Sequence, residues 1–179
     1  AGLTSATVST NGAFFDTSLA DFTVRQDLLH DAALGASADG GLVKLGTNTL
    51  TFSSYGSTYS GATAVSNGTL LIASTLPSAS ALVIAPNAEA VIGGSATQTV
   101  SAASLALDSA GTLGFAFALD GSSNDRLALA ASPALAGRRL ALYCLNTRAA
   151  FSKSGTYTLM TYGGADPDTT GLVCANPVV

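Results

Sequence analysis

The chain has 179 residues, of which 47% are hydrophobic, 7% aromatic and only 10% charged, and its net charge is −4. This length suits one well-buried domain, whose surface must consist mainly of Ser, Thr, Asn, Gly and Ala. The seven Lys and Arg residues form no basic stripe, which excludes nucleic-acid binding. No run of about 18 apolar residues occurs, so we expect no direct membrane insertion. This composition is typical of bacterial secreted repeat proteins.

The N-terminal forty residues contain the one stretch, 19–36, that could be argued as a helix, because it has almost no Gly or Pro. Its apolar residues fit a helical period only in part, and Phe22-Thr-Val24 fits a strand equally well, so we predict a strand here. The single histidine, His30, stands beside Asp31. No Gly-x-Ser-x-Gly motif accompanies it, so we predict an exposed loop histidine and no catalytic residues.

Short apolar runs recur through the rest of the chain, separated by Gly, Asn or Ser turns, and most alternate with the period of two that is typical of half-buried strands. They lie at 50–52, 70–72, 82–84, 90–92, 105–107, 115–117, 127–129, 140–142 and 157–159. The interval from Phe52 to Ile72 matches one rung, a full revolution of a solenoid, of about 20 residues. We therefore predict an all-β fold, a right-handed parallel β-helix, as a single domain over residues 1–179.

In such a solenoid each strand pairs with the rungs above and below at about 4.8 Å. The number of apolar runs predicts about eight or nine rungs and a rod about 40 Å long. Parallel crossover connections are right-handed almost without exception, which gives the expected hand. The ends of a solenoid are unpaired strand edges, so self-association through them is a further expectation.

Residues 40–72 resemble the autotransporter-associated β-strand repeat, also called the passenger-associated transport repeat, of autotransporter passenger domains. The family pattern runs Gly-Leu-x-Lys-x-Gly-x-Gly-x-Leu-x-Leu, then Asn-x-Tyr-x-Gly-x-Thr, then Val-x-x-Gly-x-Leu. It is met here by Gly41, Leu42, Lys44, Gly46, Leu50, Phe52, Tyr59, Gly61, Thr63, Val65, Gly68 and Leu70. Asn48 replaces the second glycine of the pattern, and Asn tolerates a left-handed backbone. Segments 111–129 and 155–164 look like those that follow such repeats.

The resemblance implies a parallel β-helix that is extracellular or displayed at the bacterial cell surface, as part of a larger surface protein. It implies a structural or spacer role that aids secretion and display. The alternative is an adhesin module that binds a host glycan or protein. Such a module could use the faces of Tyr55, Tyr59, Tyr143, Tyr157 and Tyr162.

Three side chains of the repeat have a predicted environment. Tyr55 and Tyr59 are expected at a corner, with the ring packed and the hydroxyl in water. Lys44 is expected to run its stem over the surface and to keep its ammonium group in water.

A polysaccharide lyase or glycosidase is a third reading, because such enzymes also occur on β-helices. Facing carboxylates would then recur one rung apart, but most of the eleven acids stand beside turn residues, where Asp bonds to the local backbone. Asp120, Ser122 and Asn124 imitate the start of a calcium loop, although the glycine and the distal glutamate are missing. We predict an Asx turn there, with no metal and no cofactor.

The two cysteines, Cys144 and Cys174, have neither CxxC spacing nor a nearby histidine, which excludes zinc. A disulfide between them is possible and would close a loop of about 30 residues, worth about 3 kcal/mol. The alternative is two separate small hydrophobic residues in the core. From about residue 165 we expect an irregular C-terminal tail.

Overall fold

The computed structural model of the chain describes residues 3 and 5–176. In this part the protein is all-β, with seventeen short strands and one 3₁₀ turn at Ala32–Leu34. Every strand pair is parallel, and each strand pairs with its counterpart one rung away. The predicted parallel β-solenoid is confirmed.

The strands form three faces, which the chain visits in a constant order, although some rungs have strands on only two of them. The first face contains β1 (Ala6–Val8) and β4 (Leu28–His30), and further along β11 (Thr99–Ala102), β14 (Arg126–Leu129) and β16 (Met160–Tyr162). The second face contains β2 (Ala13–Asp16), β5 (Leu42–Leu45), β7 (Thr63–Val65), β9 (Leu82–Ile84) and β12 (Leu105–Leu107). The third contains β3 (Phe22–Val24), β6 (Thr49–Phe52), β8 (Thr69–Ile72), β10 (Glu89–Ile92), β13 (Thr112–Phe117), β15 (Arg139–Cys144) and β17 (Val173–Cys174).

The length of a rung follows directly from the strand register. Leu50 stands over Leu70 and Leu70 over Ala90, so two successive rungs have 20 residues each. Phe52 stands over Ile72, as the sequence predicted. Rungs toward the C-terminus are longer, because their corners carry larger loops.

The core is a set of stacked rows of inward side chains. In β6 and β8 the inward residues are fully buried and the outward ones are only half-buried, which is the alternation that a strand imposes. The row through Leu50, Leu70, Ala90 and Leu113 is 0% exposed. Burial of each leucine contributes roughly 1.5–3 kcal/mol, so stability depends on how well neighbouring rungs cover each other.

The predicted number of rungs was wrong. The largest described sheet has seven strands, which at about 4.8 Å per step give a rod of about 29 Å instead of 40 Å. The count was too high because several apolar runs share one rung: 82–84 lies on the second face and 90–92 on the third face of the same rung. The run at 157–159 is not a strand and leads into β16.

The two ends of the chain agree with the sequence in part. Residues 22–24 form β3, so the strand predicted within 19–36 is confirmed. Asp31 caps the short 3₁₀ turn that follows β4. The tail is irregular over 163–172, but β17 then returns to the third face and pairs with β15. No helix in the described residues is long and apolar enough to cross a membrane.

Deletion of residues 53–72 should leave a folded solenoid that is one rung shorter. Phe52 pairs with Ile72 one rung further on. The deletion joins Phe52 to the residue that follows Ile72, so the inward rows stay in register. We expect a cooperative thermal transition and a β-type far-UV circular dichroism spectrum.

The matched control is deletion of residues 53–62, which removes half a rung and joins strands of different faces. This variant should not fold. A folded control together with an unfolded 53–72 variant would contradict the 20-residue period.

Candidate functional site: the corners of the repeat

Lys44 points into the solenoid, which the sequence analysis did not expect. Leu42 and Lys44 face inward on β5, because strand alternation places them on the same side, whereas Val43 and Leu45 face outward. Both inward side chains are 0% exposed. The prediction that the ammonium group lies in water is therefore wrong.

The buried ammonium group of Lys44 joins two rungs at one corner. Its Nζ donates to the carbonyl oxygens of Leu45 and Gly46 at 2.8 Å each, and to that of Asn67, one rung further on, at 2.9 Å. Three acceptors use all three ammonium protons, so the charged form is fully bonded. Burial lowers the pKa of Lys44, but these carbonyls can be satisfied together only by the ammonium form.

The same corner requires glycine for close approach of the rungs. Gly46 and Gly68 have φ of 77° and 65°. A Cβ on Gly46 would lie 2.3 Å from the backbone nitrogen of Ser18 in the preceding rung, and a Cβ on Gly68 would lie 2.5 Å from the oxygen of Gly46. Asn48 does not use a left-handed backbone. Its side-chain amide instead donates to the carbonyl of Thr17 in the preceding rung at 2.7 Å.

A second corner is held by a buried chain of hydroxyl groups. The hydroxyl of Tyr59 lies 2.6 Å from that of Thr63, which lies 3.0 Å from that of Ser80 in the next rung. Tyr59 is 0% exposed, and burial raises its pKa to about 12. The prediction of a hydroxyl in water is thus wrong for Tyr59. The Tyr55 side chain is 71% exposed, and its hydroxyl donates to a backbone carbonyl.

Asp39 bonds to the backbone of two rungs at the point where the repeat begins. Its Oδ1 accepts the N–H groups of Gly41 and Gly61 at 2.9 Å each, and its Oδ2 accepts the N–H of Ser60 at 2.8 Å. Oδ2 also lies 2.7 Å from Nδ1 of His30. Burial opposes ionisation of Asp39, but the hydrogen bonds from His30 and these backbone groups outweigh it and lower the pKa to about 2. Gly41 and Gly61 are thus joined across two rungs by one carboxylate.

His30, Asp39 and Ser60 lie together, but not as a catalytic triad. In a triad the histidine Nε2 faces the nucleophile, whereas here Nε2 lies 3.2 Å from the carbonyl oxygen of Gly35. The hydroxyl of Ser60 approaches Nδ1 and Asp39 instead, at 3.2 Å each. Both ring nitrogens face acceptors, so the arrangement favours doubly protonated imidazolium. The hydrogen bond to Asp39, followed by that to Gly35, raises the pKa of His30. The histidine was predicted as an exposed loop residue, but its side chain is only 22% exposed.

The carboxylates of the chain bond to their own backbone or to neighbouring side chains. Six accept the N–H of the residue two positions ahead, as the turn composition predicted: Asp16, Asp31, Asp39, Asp108, Asp120 and Asp168. The other five each accept at least one hydrogen bond from a residue elsewhere in the chain: Asp21, Asp27, Glu89, Asp125 and Asp166. Asp120 closes the predicted Asx turn with Ser122.

Asp125 has the one carboxylate oxygen in the described residues that is buried without a partner. Its Oδ1 accepts the N–H of Gln98 at 2.6 Å, while Oδ2 has no donor. Burial raises the pKa of Asp125 to about 6. No group of three His, Cys, Asp or Glu side chains in the described chain is placed to hold a metal ion.

One polar cluster on the third face was missed by the sequence analysis. The Tyr143 hydroxyl donates to Glu89 at 2.6 Å, Arg148 pairs with the same carboxylate, and the Arg148 guanidinium lies 4.6 Å from the centre of the Tyr143 ring. Burial, and then the bond to Glu89, raises the pKa of Tyr143 to about 12. The ring crosses Gly114, where a Cβ would lie 2.9 Å from it. Glu89 lies 54 residues before Tyr143, and the three residues belong to no motif, so the sequence carried no signal for the cluster.

The possible disulfide is not formed, because both cysteines are free. Cys174 pairs with Leu140, four residues before Cys144 on the same strand, a separation of about 13 Å along the strand. A disulfide needs Cα atoms within about 7 Å. Cys174 is exposed and Cys144 is half-buried, so the alternative of two core residues is not met by Cys174.

Substitution Lys44→Met should destabilise the protein by about 2–4 kcal/mol, because it leaves three buried carbonyls without a donor while relieving the cost of burying a charge. Urea unfolding monitored by circular dichroism measures this change. Lys153→Met, at an exposed lysine, is the matched control and should change the free energy of unfolding by less than about 0.5 kcal/mol. Equal stability of the two variants would refute the role of Lys44.

The stabilisation from His30 should depend on pH. The folded-state pKa is raised above 6.5, so the contribution is fully present below about pH 6.5 and is lost as the pH rises through the folded value. We expect His30→Gln to lower the melting temperature more at pH 5.5 than at pH 8.5, relative to the wild type at each pH. A difference that is independent of pH would show that His30 is not protonated where it bonds to Asp39.

A known family matches part of the chain. The family model of the passenger-associated-transport-repeat matches residues 42–72, which comprise β5 to β8 and contain Lys44, Tyr59 and both corner glycines. No curated protein and no solved structure matches the chain. The resemblance found in the sequence is therefore confirmed. Residues 42–72 match a passenger-associated transport repeat, and the β-solenoid that contains them fits an autotransporter passenger with repeats.

Proposed function

We propose that this chain is a structural spacer of a bacterial autotransporter-like passenger, which aids secretion and holds other parts of the protein away from the cell surface. It acts on the extracellular side. The observation that carries the proposal is the use of polar side chains within the repeat. Lys44, Asp39 and Tyr59 each join neighbouring rungs and leave no free functional group.

Rung-by-rung stability supports a role in secretion. Successive rungs within the repeat pair through parallel strands on the second and third faces and through bonded corners, so a folded rung is a template for its successor. A chain that emerges progressively from a membrane can therefore fold in the order in which it emerges. Local corner bonds such as those of Lys44 then hold each new rung in place.

The adhesin alternative relied on tyrosine faces, and the five tyrosines do not share one. Tyr59 and Tyr143 are buried, and Tyr157 packs edge-on against Phe117 and Phe151 in the core. Of the five, only Tyr55 is largely exposed. Binding of a ligand by this chain stays a prediction, and no row of exposed tyrosines supports it.

The repeat and the solenoid also favour a structural segment over an enzyme. Every carboxylate accepts a hydrogen bond within the chain, and six of them close local turns. Groups of this kind support backbone geometry. This supports the spacer reading over a lyase or glycosidase.

The test is display of the intact protein on cells, measured with an N-terminal epitope tag and an antibody that cannot enter the cell. We expect the 53–72 deletion to reach the surface at nearly the wild-type level, because the inward rows stay in register. We expect Lys44→Met to lower the displayed amount several-fold, with Lys153→Met as the control.

Normal display of a Lys44→Met protein that is destabilised in solution would contradict a role of rung stability in secretion. Binding of the wild-type segment to a glycan array, abolished by the 53–72 deletion, would favour the adhesin alternative.

A further inference from the structure

The peptide nitrogen of Gly68 lies against the side chain of the residue before it. Its N–H has no backbone acceptor among the described residues and donates to Oδ1 of Asn67 at 2.7 Å. The side-chain carbon Cγ of Asn67 is bonded directly to this oxygen, so the Gly68 nitrogen and Cγ are also neighbours. Asn67 is exposed, so water can reach the pair.

This contact distinguishes Asn67-Gly68 from the other places where a glycine follows Asn or Asp. In those places the glycine N–H is held by a backbone carbonyl, in Gly12 and Gly40 by that of Ser9 at 3.1 and 2.8 Å, and in Gly121 by that of Ala118 at 2.9 Å. Asn11-Gly12 is the other Asn-Gly pair of the chain, and Asn11 is also exposed. The two pairs therefore differ in the folded structure and not in their residues.

The ammonium group of Lys44 lies at the peptide that joins Asn67 to Gly68. Its Nζ donates to the carbonyl oxygen of Asn67 at 2.9 Å. If the Gly68 nitrogen loses its proton, the negative charge spreads to this same oxygen, because the peptide group is conjugated. A fixed cationic donor at the atom where charge develops stabilises that charge. Lys44 therefore lowers the cost of converting the Gly68 nitrogen into a nucleophile.

We propose that Asn67 is a site of spontaneous self-modification, at which the Gly68 nitrogen attacks Cγ of Asn67 in the folded chain with the help of Lys44. The nitrogen gives its proton to hydroxide and bonds to Cγ. The bond between Cγ and the side-chain nitrogen of Asn67 then breaks, and that nitrogen takes a proton from water and leaves as ammonia. The product is a cyclic imide between Asn67 and Gly68.

Water then opens the imide at one of its two carbonyl carbons. Addition at Cγ breaks the new bond and leaves an aspartate in place of Asn67. Addition at the main-chain carbonyl breaks the original peptide bond and leaves an isoaspartate, whose main chain is longer by a carbon atom. The corner has no room for it, since even a Cβ on Gly68 would lie 2.5 Å from the oxygen of Gly46. Formation of isoaspartate therefore separates the two rungs at this corner.

The test is mass spectrometry of the wild-type chain after incubation at neutral pH in water labelled with heavy oxygen, which each hydrolysed imide incorporates. Asn11 is the internal control. In the folded chain Asn67 should be modified at least about tenfold faster than Asn11, because only its side chain is held against the glycine nitrogen. In urea the two rates should be similar. A ratio of the two rates that is no higher in the folded chain than in urea would overturn the proposal.

The variant Lys44→Met tests the role of the ammonium group. At a temperature where circular dichroism shows the variant to be folded, we expect modification of Asn67 to slow by at least about tenfold, with that of Asn11 unchanged. An unchanged rate at Asn67 would refute the part assigned to Lys44.

Hydrogen exchange on the wild-type chain tests the same step without a variant. Base-catalysed exchange of an amide passes through the same deprotonated nitrogen that attacks Cγ. The amide of Gly68 should exchange at least about tenfold faster than that of Gly12, which also follows an Asn but donates to a backbone carbonyl. Equal exchange of the two amides would show that the Gly68 nitrogen is not activated.

Discussion

The backbone at the corners imposes the main constraint on this protein. Rungs stack about 4.8 Å apart, so the carbonyl groups of each corner are covered by the next rung and lose their contact with water. Lys44 resolves this at one corner by placing an ammonium group among three such carbonyls, two of its own rung and one of the next. A lysine stem is long enough to bring its ammonium group to all three carbonyls. The aliphatic rows supply most of the burial, but the corners decide whether two rungs can come close enough to form those rows.

The few acidic residues of the chain are used to support its backbone. Acidic residues hold turns or join rungs, as Asp39 does with the backbone of Gly41 and Gly61. Asp27 does the same one corner earlier, where its Oδ1 accepts from Ser54 and Gly56 of the following rung.

Much of this fold could be predicted from the sequence because the solenoid period is local. Apolar alternation identified most strands, and the repeat pattern identified the 20-residue rung from Phe52 to Ile72. The direction of Lys44 could also have been predicted, since it follows Leu42 by two residues on the same strand. The motif alone did not predict an inward Lys44, because a lysine side chain is ordinarily exposed to water. The cluster of Glu89, Tyr143 and Arg148 depends on the lengths of later rungs, which carry no regular pattern.

That cluster has a mechanical consequence. Glu89 belongs to β10 and Tyr143 to β15, with β13 between them, so their bond bypasses one strand of the ladder. A ladder that contacts only nearest neighbours can be peeled one strand at a time from its end. Here a pull on β15 is transmitted to β10 as well as to β13, and the load is shared by three strands at once. The C-terminal part of the rod should therefore resist tension as one block, while the regular 20-residue rungs yield singly.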